Sequence, residues 1–188
     1  LSLIAGTLMI LLAIAVAAFG PLLTLDPLDL NLGATLQPPS AGHWLGTDSF
    51  GRDVLARIVA ATSVDLQFGF FSVLPTLVVG TTLGILAGTN RWMDAVLMRV
   101  LDLVVAFPFY VLIIAIVATL GPGILNMYIA VFLVGWASYA RLVRSEVLVV
   151  AKHQYVEAAR ALGFSRWRVL LRHVLPNVMG PVLVLATI

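Results

Sequence analysis

Within its 188 residues the chain has no cysteine, a single lysine (Lys152), three histidines and only nine acidic residues. The missing cysteine excludes a disulfide framework, a thiolate metal site and a cysteine nucleophile from this stretch of sequence, and leaves the redox compartment undetermined. The lone lysine excludes a phosphate-cradling loop of the form G-x-x-x-x-G-K-[ST], because no glycines of that spacing precede it. His43, His153 and His173 lie in loops or at a span edge, too dispersed for a ligand set, and H-E-x-x-H does not occur, which counts against an intramembrane zinc enzyme. Charge of any kind is scarce, at 11% of residues. No acid or base sits deep in an apolar run, Asp102 lying near the end of one, so an ion-driven secondary transporter lacks the midplane coupling groups it needs.

What is present is oil. Hydrophobic residues make up 61% of the chain and the mean hydropathy is +1.07, where a soluble domain is nearer half apolar and a quarter charged. Four apolar runs approach the ~20 residues that cross a bilayer: Leu3 to Leu25, Phe68 to Gly88, Leu101 to Leu120 and Ile124 to Ala140, with a fifth beginning near Val174. The expected fold is an all-α polytopic transmembrane bundle, a single domain over residues 1–188, with a polar loop over 26–67 and an arginine-rich loop over 141–173. The chain opens and closes inside apolar runs, and we expect it to be a piece of a longer protein. The opening run is too long for a signal-peptide core and lacks the basic flank.

Orientation follows from the distribution of Lys and Arg in short loops. The 26–67 loop holds Arg52 and Arg57 against five aspartates, and the "GPGILN" turn has no charge. On the other side stand Arg91, Arg99, Arg141, Arg144, Lys152, Arg160, Arg166, Arg168 and Arg172. That side is expected to be cytoplasmic. Pro75 and Pro108 fall inside spans, where a lost backbone hydrogen bond makes a kink that is either absorbed by packing or used as a hinge.

The arginine-rich loop is patterned. From Gln154, Tyr155, Ala158 or Ala159, and Leu162 recur at helical spacing while Gln154, Glu157 and Arg160 take another face. Gly163 comes next, as a left-handed C-terminal cap would. Ser165 then caps a second helix whose apolar stripe is Trp167, Leu170, Leu171 and Val174. The small side chains at positions 158, 159 and 161 would let a partner surface approach closely. A solvated loop whose arginines bind lipid headgroups is the alternative, but it leaves the glycine break and the alanine face unexplained.

The spacing Glu157, Ala158, Ala159, then Gly163, then Leu175 and Pro176 resembles the EAA motif of permeases of bacterial ABC importers. His173 stands where the motif commonly has a branched apolar residue, and Val174 is expected to take over that packing. "HWLGTDSFGRDVLARI" (His43 to Ile58), "WMDAVLMRVLDLVVAFP" (Trp92 to Pro108) and "GWASYARLVRSEVL" (Gly135 to Leu148) resemble the dipeptide, oligopeptide and nickel group, its C-type subunit above all.

The resemblance implies a type I importer permease, six spans of which about five are present, in a bacterial inner membrane. It implies two ATP-binding-cassette subunits that carry ATP and Mg, a B-type sister permease and an extracytoplasmic substrate-binding protein. No cofactor, metal or nucleic acid is expected on this chain, nor any enzymatic activity of its own. Tyr155, Glu157, Ala158, Ala159, Arg160, Gly163 and Pro176 would couple to the ATPase, with Glu157 as a polar anchor and Arg160 as an ion-pair donor. Peptides are the expected cargo, with nickel or another small solute as the alternative.

In the outer loop, Gly46, Thr47, Asp48, Gly51, Arg52 and Asp53 form the second motif. Thr47 or Asp48 is expected to cap a short helix, and Asp53 to pair with Arg57 at i,i+4. Val54, Leu55, Ile58 and Val59 would lie against the bundle, and His43 and Trp44 would be interfacial anchors. The motif either seals the bundle or also meets the external binding protein.

Overall fold

The computed structural model describes residues 2–187. Its regular structure is helical, and the only β-pairing among the described residues is an isolated antiparallel bridge between Thr47 and Asp53. The helices are α1 (Ser2–Leu23), α2 (Val54–Thr89), α3 (Arg91–Val105), α4 (Phe109–Leu120), α5 (Ile124–Val150), α6 (Gln154–Ala161), α7 (Arg166–Val169) and α8 (Leu175–Ala186). Among the described residues four helical stretches are long and apolar enough to cross a membrane: Ile4–Leu23, Val54–Thr89, Ile124–Val150 and Arg166–Ala186. The bent pair α3–α4 makes a fifth if it counts as one span. The chain is a multi-pass membrane protein. The single domain expected from the sequence resolves into two compact units, Leu1–Phe70 and Phe71–Ile188.

In the first unit α1 is mostly exposed, Leu8, Met9, Ile10, Leu11 and Leu12 among its exposed apolar residues, and only the face carrying Ala13, Val16, Ala17 and Gly20 is half-buried. Such a helix is solvated by lipid or by another chain. Gly20 lets it pass closely over Val59, whose methyl group occupies the place a side chain at position 20 would take. The loop after α1 is shorter than expected. Helix α2 begins at Val54, so the helical run starts well before the apolar one, and Ala56 and Val59 are its buried residues there. Ile58, expected against the bundle, is exposed.

In the second unit α2 and α5 pack through glycine. Gly80, Gly84 and Gly88 recur every fourth residue and so share one face of α2. A methyl group at Gly80 would lie 2.6 Å from the Trp136 carbonyl, one at Gly84 2.7 Å from the Ala140 carbonyl, and one at Gly88 2.6 Å from Val147 Cγ1. From the other side, Gly135 faces Thr76 at 2.9 Å by the same measure. Between membrane helices, where hydrocarbon surrounds everything, this close backbone approach is what holds a pair together.

Two expected boundaries are corrected here. The span drawn over 101–120 is broken at Pro108, whose ring removes a backbone donor and disfavours the helical region for the preceding Phe107. Helix α3 ends at Val105, α4 starts at Phe109 with Pro108 at its N-cap, and their axes differ by 82°. The charged stretch 89–100 that precedes this expected span is the start of α3, capped by the Asn90 side chain, which accepts from Trp92 N at 2.9 Å. Apolar spacing alone conceals it, since Leu97 and Leu101 are its only fully buried residues. Pro75, in contrast, sits inside a continuous α2.

The span expected from Val174 likewise begins earlier. The chain is helical from Arg166 to Ala186, with a π-turn at Leu170–Val174 directly before Pro176. Proline removes one backbone donor, and a π-turn is one way a helix takes up the resulting misfit. The Asn177 side chain donates to the His173 carbonyl at 2.7 Å and satisfies an acceptor of the disturbed turn.

Candidate functional site

Helix α6 is short because the sequence fixes its C-terminal end. Leu162 ends it, and Gly163 comes next at φ +82°. The Gly163 amide donates to the Arg160 carbonyl at 2.9 Å and the Phe164 amide to the Ala159 carbonyl at 3.2 Å. This pair of bonds is a Schellman cap, which needs the left-handed conformation that glycine adopts at little cost. The chain reverses there, and the Ser165 side chain accepts from the Arg168 amide to start α7.

The structure turns α6 differently from the sequence reading. Val156 is fully buried and Ala159 is 5% exposed, and both join a core cluster with Val150, Val169, Leu170, Val174 and Val178. Val156 is absent from the sequence candidates, although its i,i+3 pairing with Ala159 is there to be read. Tyr155 and Leu162, expected in the packing stripe, are 45% and 75% exposed. Glu157, Ala158, Arg160, Ala161 and Gly163 are exposed with them. In α7 and the π-turn the stripe divides in the same way: Leu170 and Val174 are buried, whereas Trp167 and Leu171 are exposed. Pro176 is exposed on the shared helix beyond.

Aromatic rings fasten this knob to the π-turn. His153 stacks on Tyr155 with ring centres 5.6 Å apart, and His173 lies 6.4 Å from both Tyr155 and Phe164, nearly parallel to the latter. Val174 carries the packing that His173 does not, as its burial in the cluster shows. Arg168 covers the Phe164 ring at 5.4 Å, a cation–π contact.

The sequence reading misses one set of residues. Asp94 of α3 grips Arg144 of α5 through two hydrogen bonds, Arg144 Nη2 donating to Oδ2 at 2.8 Å and Nε donating to Oδ1. Bidentate pairs of this kind fix orientation as well as adding energy. Asp102 and Arg141 approach to 3.6 Å on the same two helices, exposed to solvent and worth little. The arginines counted only for topology therefore also pin α3 to α5. Asp94 and Asp102 are eight residues apart and Arg141 and Arg144 three apart, spacings that put each pair on one helix face and could have revealed the match.

The outer-loop motif is a knot, not a capped helix. Asp48 accepts from the amides of Phe50 and Arg52 at 2.8 and 3.0 Å, from Arg52 Nε at 2.9 Å, and from Arg57 Nη1. Thr47 Oγ1 accepts from the Gln37 amide at 2.8 Å and donates to the Ala34 carbonyl. Neither residue caps a helix as expected. Asp53 does, its Oδ1 accepting from the Ala56 amide at 2.7 Å, while its Oδ2 meets His43 Nδ1 at 3.0 Å. Arg57 pairs with Asp48 instead of Asp53 because the turn through Gly51 (φ +72°) brings residue 48 back beside α2. A side chain on Gly51 would run into the Asn31 carbonyl, and one on Gly46 into that of Gln37. Trp44 is exposed beside the knot.

Burial would raise the Asp48 carboxyl, but the hydrogen bonds from Arg52, Phe50 and Arg57 outweigh it and hold the group well below the usual carboxylate range. A depressed folded value stabilises the knot fully above the unfolded carboxylate value of about 3.9, and the contribution is lost as pH falls below it toward the folded value. Hydrogen exchange over residues 46–57 is expected to show protection that is flat from neutral pH down to about 4 and then declines. Asp48→Asn should already lack that protection at neutral pH. An unchanged exchange profile in the variant would remove Asp48 from the centre of the knot.

Comparison with known sequences comes to the same chain segments. Residues 80–188 match the sequence pattern of the family described as binding-protein-dependent transport system inner membrane component. The chain is similar to the dipeptide transport system permease protein DppC of Alkalihalophilus pseudofirmus, 44% identical over 187 residues, covering 98% of this chain and 62% of that protein. It is 40% identical over 186 residues to the glutathione transport system permease protein GsiD of Pectobacterium atrosepticum, covering 96% of this chain and 61% of that protein. The probable D,D-dipeptide transport system permease protein DdpC of Escherichia coli is 36% identical over 187 residues, with 98% and 63% covered. The chain thus spans about three-fifths of the length of these relatives. Because the family pattern covers more than half of the chain, including α5, α6, α7 and their glycine-packed partner face on α2, the chain belongs to the binding-protein-dependent transport system inner membrane components.

Proposed function

We propose that the chain is a permease subunit of an ATP-driven importer of the bacterial inner membrane, forming half of a translocation path for di- or oligopeptides. The relatives named for dipeptide, D,D-dipeptide and glutathione transport favour peptide cargo over nickel or another small solute. ATP and Mg belong to two partner ATPase subunits, since the phosphate-binding loop is missing from these residues. A B-type sister permease supplies the second coupling helix, and an extracytoplasmic binding protein delivers the cargo. The outer knot is a rigid surface suited to meet that protein.

The observation that carries this reading is the two-sided α6. Its inner side, Val156 and Ala159, is welded into the cluster that runs through α5 and α8. Its outer side exposes Glu157, Ala158, Ala161 and Leu162, with Tyr155 half-exposed beside them against His153 and His173. Close-packed interiors transmit displacement with little loss. A push on α6 by an ATPase therefore moves α5 and α8, and the path opens or closes with them. Glu157 is the charge presented at the contact, Ala158 and Ala161 set its closeness, Arg160 stands at its flank, and Gly163 fixes the direction of the helix.

The absence of cysteine from these residues makes the test direct. Single cysteines replacing Ala158 or Ala161 in the assembled transporter should cross-link to an ATPase subunit, while one replacing Gly33 of the outer loop should not. If Ala158→Cys and Ala161→Cys label only from solvent or lipid, or link to the external binding protein, the assignment fails.

A further inference from the structure

A cleft of about 560 Å³ lies behind the knob, within the second unit. Gly88 and Thr89 at the end of α2, Val147 of α5 and Ala151 just past its end line it, together with Arg160, Arg166, Phe164 and Leu170. We infer that this cleft holds a phosphate-bearing anion, with Arg160 and Arg166 as its cationic partners.

The charge balance of the unit points there. Arg141 and Arg144 are matched by Asp102 and Asp94; Arg160 and Arg166, like Arg91, Arg99, Lys152, Arg168 and Arg172, have no carboxylate within ion-pair distance among the described residues, and of these Arg160 and Arg166 line the cleft. Arg160 and Arg166 are both exposed to water, yet together they leave one cleft positively charged, and an anion held between them would relieve that charge. The planar fork of arginine matches the oxygens of a phosphate, to which it can donate two parallel hydrogen bonds. The volume falls in the range that takes a small ligand or a lipid headgroup. The cleft lies where the long apolar helices α2 and α5 end, which is where a phospholipid places its phosphate above its acyl chains. A lipid headgroup and a dissolved phosphate share the chemistry the arginines recognise, and the experiment separates them.

The full-length permease, purified in its assembled transporter and placed in phosphatidylcholine nanodiscs, would be titrated with phosphatidylglycerol and the bound lipid counted by native mass spectrometry. Arg166→Gln and Arg172→Gln each remove one exposed charge, but Arg172 lies outside the cleft. Arg166→Gln should weaken phosphatidylglycerol binding by about fivefold or more, and Arg172→Gln by less than about twofold. Arg166→Lys, which keeps the charge and loses the fork, should fall between wild type and Arg166→Gln and guards against a folding defect. Displacement of the lipid by excess inorganic phosphate would assign the cleft to phosphate in general, and failure to displace it would assign it to the headgroup. Equal losses in Arg166→Gln and Arg172→Gln would reduce the effect to surface charge and overturn the inference. An acidic segment of the full assembly found in the cleft would do the same.

Discussion

Replacing Gly84 by leucine is expected to prevent the second unit from folding into a stable bundle. Even the first atom of the new side chain would sit 2.7 Å from the Ala140 carbonyl oxygen and 2.7 Å from Val143 Cβ. The carbonyl belongs to the backbone of α5 and cannot turn aside, so the two helices must separate. Overpacking a well-filled interior costs about 1–3 kcal/mol even where side chains can give way. Here separation would also loosen the Gly80 and Gly88 contacts on either side, and the loss should reach or exceed the top of that range. Thermal unfolding of the full-length protein in detergent should show a large drop in midpoint or loss of the folded form. Gly180→Ala is the matched control, because a methyl group at that helical position meets nothing within 4 Å, and alanine is the better helix former by about 1 kcal/mol. If Gly84→Leu and Gly180→Ala melt alike, the glycine face of α2 does not hold the bundle together.

Composition and hydropathy already specify an all-helical membrane bundle, because a bilayer leaves few ways to satisfy a backbone. The ends of the helices are less legible, and for identifiable reasons. Hydropathy reports where the oil is, while a helix continues as far as its caps permit. Helix α2 therefore starts at Val54 under the Asp53 cap, and α3 starts at Arg91 under the Asn90 cap, both well into polar sequence. Pro108 is visible in the sequence as a disturbance, but whether a proline kinks a span or breaks it is decided by the packing on either side of it. Here the result is an 82° turn.

The knob is legible in outline, since Gly163 and Ser165 are local signals with local mechanisms. Its facing is not. An eight-residue helix has two plausible apolar sides, Tyr155 with Ala158 and Leu162 or Val156 with Ala159, and only the cluster contributed by α5 and α8 selects the second as the inner one. The outer motif misleads for a related reason. Asp53 and Arg57 have ideal helical spacing, yet the turn through Gly51 delivers Asp48 to Arg57 and leaves Asp53 to His43, a pairing at ten residues' separation that no helical period encodes.

Gly163→Pro should uncouple ATP hydrolysis from uptake while the protein still inserts into the membrane. The residue sits at φ +82°, which the proline ring forbids, and its amide donates to the Arg160 carbonyl, a bond proline cannot make. Both halves of the cap would go, α6 would lose its fixed end, and the chain would enter α7 in another direction. The nearest surroundings of Gly163 are open, so the damage is to direction and not to packing, and the glycine face of α2 and α5 should be untouched. Gly163→Ala separates the two effects: it restores the amide and costs only the left-handed conformation, about 1–2 kcal/mol, and should keep part of the uptake. Glu157→Lys tests the contact itself, since it reverses the exposed charge without disturbing the buried Val156 and Ala159. Measured in the reconstituted transporter, Gly163→Pro and Glu157→Lys should each lower substrate-stimulated hydrolysis and uptake by tenfold or more, about 1.4 kcal/mol at the coupling step, with normal amounts of permease in the membrane. Full uptake in both variants would mean that α6 does not receive the work of the ATPase, whatever else docks on its outer face.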